Sequence, residues 1–483
     1  MPPDWHKEKT MKGIKTNFLL ILVLMLMFTY PACAEELSEG YIVKLSSNAV
    51  VLFSAESDEI TPLGDEYYRA ESIEAAYEMF SHKNIEAIFP DYQLELFDEV
   101  YPNVTSDEKI NEQWNLDLIY ADTAREKGLF GKGIKIAVLD SGLDTTNTDL
   151  KQANIMQGYN CIADANDVTD VSDNYGHGTN VCGVIAAQTD NQTDIAGIAD
   201  ETYIIPLKIT NGKTLPLSNI YTGINKAIEL DCDIINMSLG GALTDETAIN
   251  EFKSWIDKAN DAGIAVIAAV GNGGTTLNYP AAFDNVIGVG SVDKNKVVAE
   301  RSQYNESVFV VAPGVDVLTL SKNGGTETNT GTSLATPHVT AAVALIKELK
   351  PDCSLNEIKE ILESTSADLG DTGYDIYYGH GLLDIKSILE KLQEYVPDVV
   401  VSQGMKDGTN RIHIHNNTGE MIIADGYFVK YQDMRLSDLK TLQNIELNAG
   451  VTSYFFSDEY DCFMLWNDFL APYTEKYIFE KDN

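Results

Sequence analysis

Cysteine is scarce in this chain of 483 residues, and basic residues are outnumbered more than two to one, 34 Lys and Arg against 74 Asp and Glu. Once Cys33 in the N-terminal segment is set aside, five cysteines remain: Cys161, Cys182, Cys232, Cys353 and Cys462. An odd, unclustered set excludes a zinc ribbon or a disulfide framework and leaves buried free thiols as the expectation. The formal net charge of −40 argues against nucleic acid and anionic membrane surfaces as partners. It suits a soluble extracellular protein. Long hydrophobic runs are missing too. The uninterrupted apolar stretch from Phe18 to Phe28 has 11 residues, too short to span a bilayer, and no other segment is long enough.

That short run has a different use. Lys7, Lys9, Lys12 and Lys15 precede it and Ala32-Cys33-Ala34 follows, which is the basic head, apolar centre and small-residue cleavage pattern of a secretory signal. Residues 1–34 are therefore expected to be removed, with Glu35 first in the product; a start at Met11 would give the usual short basic head. Cys33 as a lipid-attachment cysteine is the alternative, against which Tyr30-Pro31 stands.

Hydrophobic residues make up 44% of the chain, ample for a core, and the length corresponds to about three folding units. The most informative stretch is Asn329-Thr330-Gly331-Thr332-Ser333-Leu334-Ala335-Thr336-Pro337-His338-Val339, continuing to Ile346. Its apolar residues go all round, which predicts a buried helix with Pro337 in its first turn and a serine hydroxyl at its start. Free N–H groups there can hold negative charge. Gly133 to Leu139 reads as a buried parallel strand with Asp140-Ser141-Gly142 at its carboxyl end, where groups gather in open α/β sheets. Asn174-Tyr175-Gly176-His177-Gly178-Thr179 opens a second apolar helix, and the strand Ile264 to Val270 breaks at Gly271-Asn272-Gly273. Further strands are expected near Tyr203–Ile209, Asp233–Met237, Val286–Val292 and Val308–Ala312, with helices near Ser218–Leu230 and Thr247–Ala262, although Pro206 counts against the first of these.

An Asp, a His and a Ser in that order, 37 and 156 residues apart, together with Ser-Leu-Gly-Gly and Gly-Asn-Gly between them, resemble the subtilisin-like serine proteases. The resemblance spans Gln113 to Leu389. It implies an α/β fold with a doubly wound, mostly parallel sheet, and a catalytic domain over 111–392. Asp140, His177 and Ser333 would be the triad, with Asn272 donating to the oxyanion. The same resemblance makes Ser238-Leu239-Gly240 and Ala269-Val270-Gly271 the walls of the P1 pocket. Gly273 and Asn278, both uncharged, would stand at its floor, so apolar P1 side chains are expected. His338 would be a packing residue, and Asp144 and Asp173 would serve turns.

Residues 35–110 resemble the inhibitory α+β pro-region and processing linker of secreted family members, with strands at Tyr41–Leu45 and Ile85–Phe89 around a helical piece at Ile73–Phe80. A permanent N-terminal domain is the other reading. The family's calcium site would draw on Gln113, Asp149 and the Gln188–Ile195 loop, where Asp190 and Asp194 supply hard oxygens; that loop carries one extra residue. Residues 397–483 read as a small β domain of unknown role with strands at Arg411–His415, Met421–Tyr431, Ser453–Phe456 and Cys462–Trp466; it resembles β modules found on cell-surface proteins, a resemblance that would imply cell-surface or cell-wall contact. There His413 and His415 share a strand face without a third metal ligand, which makes them ordinary surface residues. The sequence thus implies a secreted, self-processing serine endopeptidase acting on protein or peptide substrates, with calcium and no organic cofactor. A catalytically silent binding protein and a narrow processing protease are the alternatives.

Overall fold

The computed structural model describes residues 38–45, 60–64, 67–70, 72, 75–77, 80, 85–96 and, with short breaks, 109–478. The signal-like segment and residues 98–108 lie outside the described residues. At the N-terminus, β1 (Ser38–Leu45), β2 (Ile60–Gly64), β3 (Tyr67–Ala70) and β4 (Ile85–Leu96) pair in the order β4-β1-β3-β2, all antiparallel. A helical turn spans 75–77. The pleat sends Val43, Leu45, Tyr68 and Ala70 to a small core of their own with Ala76 and Phe80. Ile42, Tyr67 and Phe89 point the other way, into the main core.

From residue 109 the chain alternates helix and strand. Short helices α1 (Trp114–Leu118) and α2 (Asp122–Glu126) precede β5 (Lys135–Asp140) and β6 (Tyr159–Asn160). Then come α3 (His177–Ala186), β7 (Tyr203–Lys208), β8 (Thr214–Pro216) and α4 (Leu217–Glu229). Next are β9 (Ile234–Met237), β10 (Leu239–Gly240), α5 (Glu246–Asp261) and β11 (Ala265–Ala269). The unit finishes with β12 (Ile287–Val292), β13 (Val310–Pro313), the hairpin β14 (Val317–Leu320) and β15 (Thr326–Asn329), then α6 (Thr332–Leu349), α7 (Leu355–Thr365) and α8 (Ile385–Lys391).

Seven of these strands form one parallel sheet in the order β13-β12-β11-β9-β5-β7-β6. Its strands are buried on both faces, so they read as unbroken apolar runs rather than alternating ones. From β5 the chain crosses to the edge strand β6 and returns to β7 on one side, then runs outward through β9, β11, β12 and β13 on the other, which puts the topological switch at the carboxyl end of β5, where Asp140 stands. This is the doubly wound α/β sheet expected from the sequence. Pro206 does sit inside β7, opposite Val138 of β5. It is tolerated because β7 is next to the edge, and two-residue β6 covers it only at Leu207 and Lys208. Cys161, Cys182, Cys232 and Cys353 are buried free thiols.

The N-terminal sheet lies on α4 and α5. Tyr67 packs on Trp255, ring centroids 5.0 Å apart, and its hydroxyl meets Glu251. Lys44 Nζ stands 3.1 Å from the same carboxylate. Asp91, fully buried, accepts from Ser218 N at 2.8 Å in the first turn of α4 and pairs with Arg69 Nε at 3.1 Å. Past Asp91, β4 runs antiparallel between two short strands: Leu94 and Glu95 lie opposite Leu215 and Thr214 of β8, and Glu95 and Leu96 opposite Gly240 and Leu239 of β10.

Toward the C-terminus, β16 (Val399–Lys406), β17 (Thr409–Asn416), β18 (Ile422–Gln432), β19 (Arg435–Leu447), β20 (Gly450–Phe455), β21 (Cys462–Asn467) and β22 (Tyr477–Ile478) make two sheets, β16-β17-β20 and β19-β18-β21-β22. They share a core of Val399, Val401, Ile412, Ile414, Ala424, Leu447 and Phe463. β19 escapes a sequence reading because Arg435 to Leu447 does not alternate. His415 is not at the surface as expected. It is buried, its Nδ1–H donates to the Glu126 carbonyl at 3.3 Å, and its ring meets Phe130 edge-on. Gly128 has no Cβ because that ring would occupy the space. Among the described residues no three His, Cys, Asp or Glu gather as a metal site, and no helix is long and apolar enough to cross a membrane.

Candidate active site

Asp140 ends β5 and His177 begins α3, and the structure brings them together: His177 Nδ1 is 2.8 and 2.9 Å from the two Asp140 oxygens. Gly178 makes that approach possible. A Cβ there would lie 2.1 Å from the Gly142 carbonyl oxygen and 3.2 Å from Asp140, so a glycine after the histidine lets helix and strand end touch. Asp140 Oδ1 also accepts from Ser141 N at 2.6 Å.

Asp173 does more than serve a turn. Its Oδ1 accepts from Ser141 Oγ at 2.8 Å and Gly176 N at 2.7 Å, and its Oδ2 from Thr179 N at 2.9 Å and Thr179 Oγ1 at 2.7 Å. Ser141 Oγ in turn accepts from Gly178 N at 2.9 Å. One buried carboxylate thus satisfies orphan donors at the start of α3 and ties them to the residue after Asp140. Sequence reasoning missed this; the available signal was an Asp just ahead of a helix start.

Ser333 is the second residue of α6, since that helix begins at Thr332. Pro337 is therefore its sixth residue, beyond the first turn. Having no N–H, it leaves the Ser333 carbonyl without the helical partner four residues on. Ser238 Oγ supplies the bond, donating to Ser333 O at 2.8 Å, and is itself held by Asn236 Nδ2 at 3.1 Å. Asp140, His177 and Ser333 are all fully buried. Asn272 Oδ1 accepts from Thr332 N at 3.0 Å and Thr332 Oγ1 at 3.1 Å. With its oxygen fixed there, the amide turns its N–H₂ donors elsewhere.

Leu239 and Gly240 form β10, and Ala269 ends β11 with Val270 and Gly271 beyond it. Gly271 has φ +107°, and a Cβ on it would meet Gln303 at 2.1 Å and Asn278 at 2.2 Å. Asn278 is buried against that turn and donates to the Val270 carbonyl at 3.1 Å, so it props the turn from behind. Gly273 is exposed, with nothing within 4 Å of a Cβ built on it. His338 is buried and packs as expected: Nδ1 bonds the Leu334 carbonyl at 2.7 Å, Nε2 faces Asn115, and burial pushes its pKa down to about 4.

The expected calcium residues come together in part. Asp149 is buried and accepts from Asn191 Nδ2 at 2.7 Å and Ile195 N at 3.0 Å. Burial, with Asp194 and Asp200 nearby, pushes its carboxyl up to about 7. Gln113 bonds Ala196 both ways, accepting at 2.8 Å and donating at 2.9 Å. Asp190 lies outside the described residues.

Comparison with known proteins assigns the kinship. The model of the subtilase family matches residues 131–381. Subtilisin DY of Bacillus licheniformis is 38% identical over 281 residues, covering 57% of this chain and 97% of that protein. The thermostable alkaline protease of Halalkalibacterium halodurans is 32% identical over 378 residues, 76% of this chain and 96% of the relative. The major intracellular serine protease of Bacillus subtilis is 38% identical over 271 residues, 54% and 83%. The chain therefore belongs to the subtilase family and is a serine endopeptidase.

Proposed function

We propose that this endopeptidase works through Asp140, His177 and Ser333, with Asn272 at the oxyanion, and is secreted as a precursor that cuts away residues 35–110. The observation that carries the triad is the His177–Asp140 bond on α3, packed against α6, the helix with Ser333 at its head. His177 takes the Ser333 proton as Oγ attacks the substrate carbonyl, forming a tetrahedral intermediate, and then gives it to the leaving amine. Asp140 fixes the imidazole tautomer and stabilises the imidazolium. Asn272 Nδ2 and the Ser333 N–H hold the oxyanion. Water then hydrolyses the acyl-enzyme by the same relay. Loss of such an asparagine costs about 10²–10³ in rate, a figure taken from subtilisin itself.

The pro-region reading is supported by β4, whose last residues lie as a third strand between β8 and β10. An extended substrate would pair with the same two strands, so this segment blocks the groove while attached. Since one relative is named an intracellular protease, secretion rests on the Lys7-to-Ala34 segment. Calcium is the ion the family resemblance implies for the Asp149 region, where Asp149 is buried and Asp194 is near enough to raise its carboxyl, so a hard cation there would offset the clustered negative charge. Bound there, the ion would stabilise the folded chain.

Ser333→Ala tests the whole reading. The variant is expected to fold, keep its pro-region and resist fluorophosphonate labelling, whereas wild type shortens by roughly 60–80 residues and labels at Ser333. A folded wild type that stays full length and unlabelled overturns it.

A further inference from the structure

The base and the nucleophile sit on elements 156 residues apart in sequence, yet proton transfer needs them within hydrogen-bond reach, about 2.6–3.2 Å. Packing of α3 on α6 fixes that distance coarsely. A finer link runs beside it. Asn180 lies one helical turn after His177 and is fully buried, among Val181, Val184 and Ile185. An asparagine is a poor choice there, since its amide competes with the helix backbone and costs free energy in a core unless bonded.

Each polar atom of this amide is engaged. Its Nδ2 donates to the Leu320 carbonyl at 2.7 Å and to Glu327 Oε1 at 2.6 Å. The Leu320 carbonyl can only accept, so the amide cannot be turned round, and Oδ1 must face the remaining partner. That partner is Asn329 Nδ2, at 2.8 Å. Asn329, also buried, ends β15 and stands four residues before Ser333. Thr319 Oγ1 binds the Asn180 carbonyl as well, at 2.5 Å. The helix carrying His177 is thereby bonded directly to the strand that delivers Ser333. On its other side the Ser333 carbonyl is held by Ser238, and Asn272 holds the preceding Thr332; both stand in loops that follow sheet strands rather than on α3.

We infer that Asn180 and Asn329 are a positioning pair that sets the separation of His177 and Ser333, without touching substrate. The inference rests on the triad reading above. Mature enzyme carrying Asn180→Ala, Asn329→Ala or both tests it, with active sites counted by titration. Each single variant should lose about ten- to a hundredfold in kcat per titrated site, with KM little changed. The double variant should be no slower than the worse single, because the bond between the two amides is already lost in either single. The acid limb of the pH profile should stay in place, as the His177–Asp140 bond is intact. An unchanged kcat per titrated site, losses that multiply in the double variant, or an effect on KM alone would each overturn the proposal. A merely structural pair would lower the thermal midpoint and the number of titratable sites without slowing those that remain. If Asn180→Ala yields no folded enzyme, Asn329→Ala decides alone, since it removes the same bond from the strand side. Failure of the triad reading would show separately, as labelling that survives Ser333→Ala.

Discussion

A single buried imidazole illustrates how much one residue's surroundings decide. His338 is one residue past Pro337 and is held neutral by burial, its pKa near 4 against an ordinary 6.5. Between those values the unfolded chain binds the proton and the folded chain does not. Its contribution, on the order of 3 kcal/mol, is present above pH 6.5 and is lost as pH falls toward 4. Thermal midpoints measured from pH 7 to 4 should fall, and His338→Gln should flatten that slope while lowering stability at pH 7. A variant as steep as wild type would refute this. At the other extreme is Gly273, exposed beside Asn272 with open space around it. Wild type should prefer uncharged apolar P1 residues, since no acidic group stands at this position. Gly273→Asp should raise kcat/KM for Lys or Arg at P1 relative to Phe; a peptide library in which the ratio does not move would rule out Gly273 as a floor residue.

Among elements, helix starts carry the organisation. Asp173 serves α3, Ser238 and Asn272 serve the first turn of α6, and Asp91 reaches from the N-terminal sheet to the start of α4. The last is a contact between parts that processing would separate. Burial outweighs Ser218 and Arg69 and raises the Asp91 carboxyl, yet removing it breaks the buried pair with Arg69, at a cost of about 3–5 kcal/mol. In the Ser333→Ala precursor, which cannot cut itself, Asp91→Ala should make residues 38–96 open to trypsin many times sooner. Equal digestion rates would mean that β4 is held by its strand pairing and the Tyr67 cluster alone.

For the molecule as a whole, the large negative charge makes cation binding favourable wherever carboxylates are buried. Chelator should lower the thermal midpoint of mature enzyme, by an amount reflecting about 2.7 kcal/mol at a hundredfold excess of calcium over its Kd. Asp149→Ala should blunt that response, and identical midpoints with and without chelator would remove calcium from the account. The C-terminal sheets dock on residues 126–130, ahead of β5, through His415 and Asn417. Asp140 is at the far end of that strand, about 17 Å along it.

The order of Asp140, His177 and Ser333, the glycines beside them and the apolar strands were legible from residue types alone. Local rules suffice there: parallel strands buried on both faces are apolar throughout, and a buried helix is apolar all round. The rest needed tertiary structure, because it depends on partners far apart in the chain. Nothing local marks Asn180 as the partner of Asn329, Asp173 as the anchor of Ser141, or Ser238 as the donor that replaces a missing proline N–H. The same holds for His415, which alternation put on an outer face and docking buried. Hydrogen bonds between distant segments leave no period in a sequence. They become visible only when the fold closes and every buried polar atom must find a partner.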